Sequence, residues 1–277
     1  MTWLSAILLG LIQGVAEFLP ISSSGHLAIA EHLFSMSGVS DIPEFYNVLL
    51  HLGTLLAVFV AYWQDIKDMV VELISGVRDL ARHTTPVPVP PARRMILLII
   101  VGTLPLFAVL PIKDLVEGLA DSMYFVGGAL IATGFLLFFS DRVRRGRKTE
   151  RSARLLDVFL VGVAQAVATC PGISRSGTTI TAGCFVGFDR KFAVRYSFLM
   201  SIPAILGANI LSLKDAIETV VVAEIPMYLV GVLVSAVVGY ACIRLLKMIA
   251  DKGKFGFFAY YCWAAGLLTL ILTIIQN

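Results

Sequence analysis

Two apolar stretches of this chain are each broken near the middle by a segment rich in Pro and Ser, and the two breaks share one pattern. Residues 13–26 read Gln13-Gly-Val-Ala-Glu17-Phe-Leu-Pro20-Ile-Ser22-Ser23-Ser24-Gly25-His26. Residues 165–178 read Gln165-Ala-Val-Ala-Thr169-Cys-Pro171-Gly172-Ile-Ser174-Arg175-Ser176-Gly177-Thr178. Gln13 aligns with Gln165, Ser22 with Ser174, Ser24 with Ser176 and Gly25 with Gly177, whereas Glu17, Ser23 and His26 face Thr169, Arg175 and Thr178. A half-length apolar helix is tolerated in lipid only where its free backbone end is buried in protein or lines a wet cavity. Matching breaks in two halves therefore constrain the fold to half-helices that meet at a buried site.

Composition agrees. The chain is 58% hydrophobic and 15% charged, against about half and about a quarter in a soluble domain, and its mean hydropathy of +0.87 is that of a polytopic membrane protein. A net charge of +3 is too small to imply a nucleic-acid partner. The four cysteines, Cys170, Cys184, Cys242 and Cys262, sit in apolar surroundings without a Cys-x-x-Cys pair, so neither zinc nor a redox couple is indicated. The N-terminal residues lack a basic region, so no cleaved signal peptide is expected there.

Six stretches are long enough to span, roughly 45–63, 95–112, 123–140, 195–212, 226–249 and 257–275. The two broken stretches, 3–36 and 156–188, read as re-entrant hairpins. Charge orients the set. No Lys or Arg precedes Lys67. Residues 141–155 carry Arg142, Arg144, Arg145, Arg147, Lys148, Arg151 and Arg154. Residues 64–94, read as a loop that ends in the stiff run Pro86–Pro91, carry five more basic residues, and 250–256 carry Lys252 and Lys254. These three loops are cytoplasmic by the positive-inside rule. Both termini and the first hairpin then lie outside, the second hairpin enters from inside, and the two copies are inverted. The predicted fold class is an all-α polytopic membrane protein: six transmembrane helices plus two re-entrant helical hairpins in an inverted-topology repeat. It forms one domain over 1–277, with repeats at about 1–140 and 155–277.

The first loop supplies Glu17, an ionisable residue inside an apolar run and so functional by default. Gln13 and Glu17, four residues apart, share a helix face and offer oxygens to a divalent cation, Mg2+ or Ca2+. The plainer reading is that Glu17 pairs with Arg175 to hold the fold. Ser22, Ser23, Ser24 and Gly25 precede a half-helix, where a serine caps and free N–H groups attract anions. Ser23 and His26, a turn apart, are the minimum for an activated nucleophile, although a lone buried His is commonly structural. His51 reads as a core residue. In the second loop, Gly172 and Gly177 allow close backbone approach, and Ser174, Ser176, Thr178 and Thr179 offer hydroxyls. Arg175 suits a phosphate, with the Glu17 pair as its alternative partner. Together these groups suggest a diphosphate held with a cation and carrying a lipid tail.

The motif Phe-Leu-Pro-Ile-Ser-Ser-Ser-Gly-His, with Pro-Gly-x-Ser-Arg-Ser-Gly-x-Thr later and Tyr196-Ser-Phe-Leu-Met-Ser-Ile-Pro203 beyond it, resembles the bacterial undecaprenyl-diphosphate phosphatases, also called bacitracin-resistance proteins. The resemblance covers nearly the whole chain. It implies hydrolysis of a C55 polyprenyl diphosphate to the monophosphate at the outer face of the plasma (inner) membrane, recycling the carrier lipid for cell-wall synthesis. It places Glu17, Ser23, His26, Ser174, Arg175 and Thr179 on the family's functional positions. Gln13 stands where other members have Glu, which shifts the cation or general-base role onto Glu17. On this reading Ser23 is the favoured nucleophile, with direct attack by water the alternative, His26 activates it or protonates a leaving oxygen, and Arg175 stabilises the phosphoryl oxygens. The expected partners are the polyprenyl diphosphate and the bilayer, and a homodimer is compatible with the sequence. A lipid flippase or transporter shares such a fold and is the chief rival. An intramembrane Ser/His protease ranks below it, because it leaves Arg175 without a role.

Overall fold

The computed structural model describes residues 1–36, 42–84, 86–252 and 254–276, and the side chain of Lys252, counted above with a basic loop, lies outside that description. Among the described residues the chain is helical, with no strand beyond one isolated bridge between Lys148 and Phe188. Thr2 caps α1 (Trp3–Phe18) through the Ser5 N–H. Pro20 forbids its continuation: Leu19 is already extended, at ψ 141°. α2 (Ser23–Met36) follows, then α3 (Glu44–Ala61), α4 (Trp63–Ala81) and α5 (Pro91–Thr103). Pro105 and Pro111 lack the donors that a continuing helix needs, so α5 passes into 3-10 turns and a short α6 (Lys113–Glu117) before α7 (Met123–Ser140). The second half runs α8 (Leu155–Val167), α9 (Arg175–Phe185), α10 (Arg190–Ala216), α11 (Ile225–Lys252) and α12 (Phe257–Gln276).

Six helical segments are long and apolar enough to cross a membrane: Glu44–Ala61, Pro91–Asp121, Met123–Ser140, Arg190–Leu213, Val222–Ala250 and Phe257–Gln276. These are the six stretches expected, with Met123–Ser140 unchanged and the second, fourth and fifth wider. The chain is a multi-pass membrane protein, and its surface agrees: Leu229, Leu233 and Val237, one stripe of α11, are 62%, 64% and 62% exposed. Residues 64–94 depart from expectation. Most of that span is the amphipathic helix α4, which has no buried residue; its charges suggest a loop, but its apolar residues recur at helical spacing.

The packing repeats between the halves. α1 lies on α11, as α8 lies on α5; α3 and α10 face each other, as do α7 and α12. Small residues set the first two crossings, as lipid-embedded helices require when no hydrophobic effect drives them together. A Cβ on Gly10 would stand 2.6 Å from the Gly231 carbonyl oxygen, and one on Gly162 would stand 2.2 Å from that of Gly102. Gly162 follows Gly10 by the same interval that separates Gln165 from Gln13.

Candidate active site

The two broken segments meet. α1 ends at Phe18, the chain turns through Leu19–Ser22, and α2 starts at Ser23; α8 ends at Val167, the chain turns through 168–174, and α9 starts at Arg175. Ser22 holds a left-handed backbone, φ 73°, and Gly172 holds φ 87°. That conformation is natural for glycine and costly for serine. The loops touch at glycines: a Cβ on Gly25 would stand 2.9 Å from the Gly172 Cα. α7 braces the second loop, where Thr133 Oγ1 donates to the Gly172 carbonyl and accepts from the Ser174 N–H, both at 3.0 Å.

Glu17 is the hub. Its side chain is 5% exposed and ion-paired to Arg175 Nη2 through Oε1. Its Oε2 accepts from Ser23 Oγ at 2.6 Å and from Gln13 Nε2 at 3.1 Å. The carboxylate thus joins the first residues of α2 and α9. The N–H groups of Ser23, Ser24, Arg175 and Ser176 stand in the first turns of these helices, where no intrahelical acceptor exists. The site therefore combines a hydroxyl poised on a carboxylate, a guanidinium, and two positive helix ends. Arg175 Nη1 and Gln13 Oε1 are buried without a partner among the described residues.

His26 stands elsewhere than expected. Its Nδ1 is 2.8 Å from the Ser22 carbonyl and its Nε2 is 2.8 Å from the Tyr261 hydroxyl. A carbonyl only accepts, so Nδ1 carries the proton and Nε2 accepts from Tyr261. The two rings stack, 5.6 Å apart and 14° from parallel. The structure places Glu17, not His26, against the Ser23 hydroxyl; His26 instead clamps the left-handed residue that aims Ser23.

The remaining residues divide. Ser22 is buried and accepts from the Gly25 N–H at 3.3 Å, while Ser24 is exposed. Ser174 caps α9 through the Gly177 N–H, 3.1 Å, and also meets Ser176 Oγ at 3.3 Å. Thr179 turns away, onto Ser197 Oγ at 2.7 Å and the Arg175 carbonyl at 2.8 Å, so it braces the arginine from behind. Thr178 Oγ1 is buried and unpartnered among the described residues. Sequence reasoning gave no site role to Tyr261, Thr133 or Ser197, the last quoted only within the Tyr196–Pro203 motif; they are polar residues of long apolar helices that tertiary packing brings to the site. His51, read as a core residue, is half-buried and bonds the Asn47 carbonyl through Nδ1 at 2.9 Å.

The donor set tests the expected cation. Among the described residues no three His, Cys, Asp or Glu side chains converge. One carboxylate and the unpartnered Gln13 Oε1 do not make a cage, but they fit an ion that keeps waters and takes its other oxygens from phosphate, as Mg2+ does.

These features define a multi-pass helical membrane protein with one buried, charged, hydroxyl-rich site at the meeting of two broken segments. The profile of the bacitracin resistance protein BacA matches residues 6–268, and the chain belongs to that family. It is 38% identical over 282 residues to an undecaprenyl-diphosphatase of Methanosphaera stadtmanae, covering 98% of both chains. It is 39% identical over 277 residues to one of Alkaliphilus metalliredigens, covering 99% of this chain and 100% of the relative. It is also 39% identical over 269 residues to one of Desulforapulum autotrophicum, covering 96% of both.

Proposed function

We propose that this protein hydrolyses undecaprenyl diphosphate to undecaprenyl phosphate and inorganic phosphate, at a site open to the extracytoplasmic side of the bacterial inner membrane. The observation that carries the reading is the Ser23–Glu17–Arg175 contact at the convergence of two helix N-termini. Glu17 Oε2 takes the Ser23 proton as Oγ bonds to the terminal phosphorus. The bond from that phosphorus to the bridging oxygen breaks, and undecaprenyl phosphate leaves. Water then hydrolyses the phosphoserine. A positioned base of this kind contributes about 10²–10⁴-fold. Arg175 exchanges Glu17 for the phosphoryl oxygens, which its second nitrogen and the helix ends also face. With Arg175 drawn to the phosphoryl oxygens, Glu17 Oε1 and Gln13 Oε1 would be the residues to hold a divalent cation, which would supply positive charge against the diphosphate. Gly25, Gly172 and Gly177 let the backbone close on the phosphates, and Ser22, Ser174, Ser176 and Thr178 line and cap the loops.

The matched packing of the halves supports an inverted repeat with two re-entrant hairpins: α1 on α11 and α8 on α5 are one contact made twice. The absence of basic residues before Lys67 supports the outside placement of the first hairpin. A flippase is the alternative on this architecture. The Ser23–Glu17 hydrogen bond favours the enzyme, because carrying a lipid needs no nucleophile on a base. Phosphate release from a polyprenyl diphosphate by the purified protein, with and without EDTA, tests the proposal; binding without release would refute it.

A further inference from the structure

Helix α4 has an apolar side that no part of the chain covers. Trp63, Val70, Leu73, Ile74, Val77 and Leu80 are 51–77% exposed, and at 100° per residue they fall on one strip. The opposite side is bound to the protein. Asp65, Glu72 and Asp79 recur every seven residues; Asp65 pairs with Arg195 of α10, while Glu72 and Asp79 both pair with Arg93, at 3.1 and 2.8 Å. One arginine at the start of α5 reaching two acids seven residues apart ties the crossing of α4 to the N-terminal end of α5. A cavity of about 350 Å³, lined by Asp65, Asp68, Glu72, Pro90, Met95 and Arg195 among others, lies between this acidic side and the body. The crossing lies on the face of the basic loop, since Arg195 also meets Glu150 at 3.7 Å and Arg94 donates to the Glu150 and Ala153 carbonyls.

Both ends of α4 are tied to spans on that face: only Tyr62 separates it from Glu44–Ala61, and Pro91 opens the next span. The helix therefore begins and ends beside the ends of two spans on one face of the protein. With the acids paired inward, the exposed cations along the strip's edge are Lys67 and Arg78, three turns apart on one flank. Long basic side chains at such a border reach out to headgroups. We propose that α4 is a monotopic surface helix: its apolar strip occupies the headgroup–acyl boundary of the leaflet on the basic-loop side, and Lys67 and Arg78 engage anionic lipid headgroups. A second copy of the chain on the same strip is the competing occupant, and it would leave these two cations facing protein.

Site-directed nitroxides on the full-length protein decide between them. Ile74→Cys and Val70→Cys report the strip, Asp68→Cys and Ser75→Cys the far side, and the labelled parent chain supplies the background of the native thiols. In phosphatidylcholine vesicles, accessibility to oxygen should dominate at 70 and 74, and accessibility to a water-soluble nickel chelate at 68 and 75. Adding phosphatidylglycerol should deepen the strip, and Lys67→Gln with Arg78→Gln should abolish that shift. Nickel access at all four positions would place α4 in water and overturn the proposal. So would spin–spin broadening between copies at 70 and 74, or an unchanged lipid response in the double variant.

Discussion

Replacing Glu17 by Gln removes the negative charge that Arg175, Ser23 and Gln13 all address, and two losses follow that a double-mutant cycle separates. The first is stability. The Arg175 side chain is only 17% exposed, so Glu17→Gln strands a mostly buried guanidinium, a change that costs about 3–5 kcal/mol when burial is complete and falls near the lower end here. Arg175→Gln strands the carboxylate, with a similar cost. The double variant Glu17→Gln/Arg175→Gln has no buried charge at this point and should recover most of the loss, since a neutral replacement of a whole buried pair is commonly tolerated. The second loss is activity. Without the carboxylate the Ser23 proton has no acceptor of adequate basicity, a deficit of about 10²–10⁴ in kcat, and removing Arg175 as well should lower the rate further. Unfolding of each detergent-solubilised variant, followed by tryptophan fluorescence, is measured beside phosphate release from the polyprenyl diphosphate. Stability that recovers while activity stays absent fits a catalytic couple. A double variant that regains both would reduce the pair to a structural tie, and near-normal turnover by Glu17→Gln alone would remove the base from the mechanism.

Ser23→Ala should eliminate phosphate release and leave diphosphate affinity largely intact, because the nucleophile acts on the transition state; brisk turnover would transfer the attack to water. Arg175→Lys should cost more than about tenfold, or 1.4 kcal/mol, since an ammonium cannot make the forked contact; a smaller loss in steady-state rate would mean that charge alone suffices. Tyr261→Phe keeps the ring stacked on His26 and deletes one hydrogen bond, so kcat should fall about fivefold, the equivalent of roughly 1 kcal/mol, and an unchanged kcat would detach Tyr261 from the site. A cysteine placed at Lys148 should resist an impermeant thiol reagent in intact cells once the native cysteines are replaced, and its labelling would reverse the proposed topology.

The sequence carried the spans because about 20 apolar residues in a row have few other fates, and it carried the two loops because Pro20 and Pro171 are each closely followed by a cluster of serines ending in Gly, whereas Pro203, with no such cluster after it, stays inside α10. The Glu17–Arg175 pair was legible as one of two partners open to each residue, on the ground that neither charge is tolerated alone in the membrane. What the sequence concealed is of two kinds. His26 sits three residues from Ser23, and proximity along a helix suggested a base; the backbone at Ser22, φ 73°, turns the ring toward its own loop and α12 instead. Tyr261, Thr133 and Ser197 lie 235, 41 and 18 residues from the atoms they bond, and nothing local marks a hydroxyl that will be met from so far away. α4 was concealed for another reason. Its acids and bases are too many for a span, and only the angular order of its residues shows an amphipathic helix.

The proposed repeat explains why a single chain holds a single site. Ser23 and Arg175 occupy equivalent places in the two motifs, each as the first residue of its second half-helix. A twofold brings equivalent places together only where they lie near its axis, and Glu17, which bonds both Ser23 and Arg175, shows that these two helix starts lie close to one another. In the proposed reading the repeat supplies the cradle and sequence divergence supplies the chemistry: one copy would contribute an oxygen nucleophile, the other a fixed cation. Glu17 breaks the symmetry, since its counterpart is Thr169, and it bonds both equivalent residues at once. A transporter that alternates between two equivalent half-sites gains nothing from a carboxylate that ties one half to the other and holds a serine hydroxyl at 2.6 Å. A phosphatase needs that arrangement, because the base must stand on the nucleophile's side of the phosphorus and the cation across from it. In the proposed mechanism the carboxylate that ties Ser23 to Arg175 becomes, once the diphosphate draws Arg175 away, the base that starts the reaction.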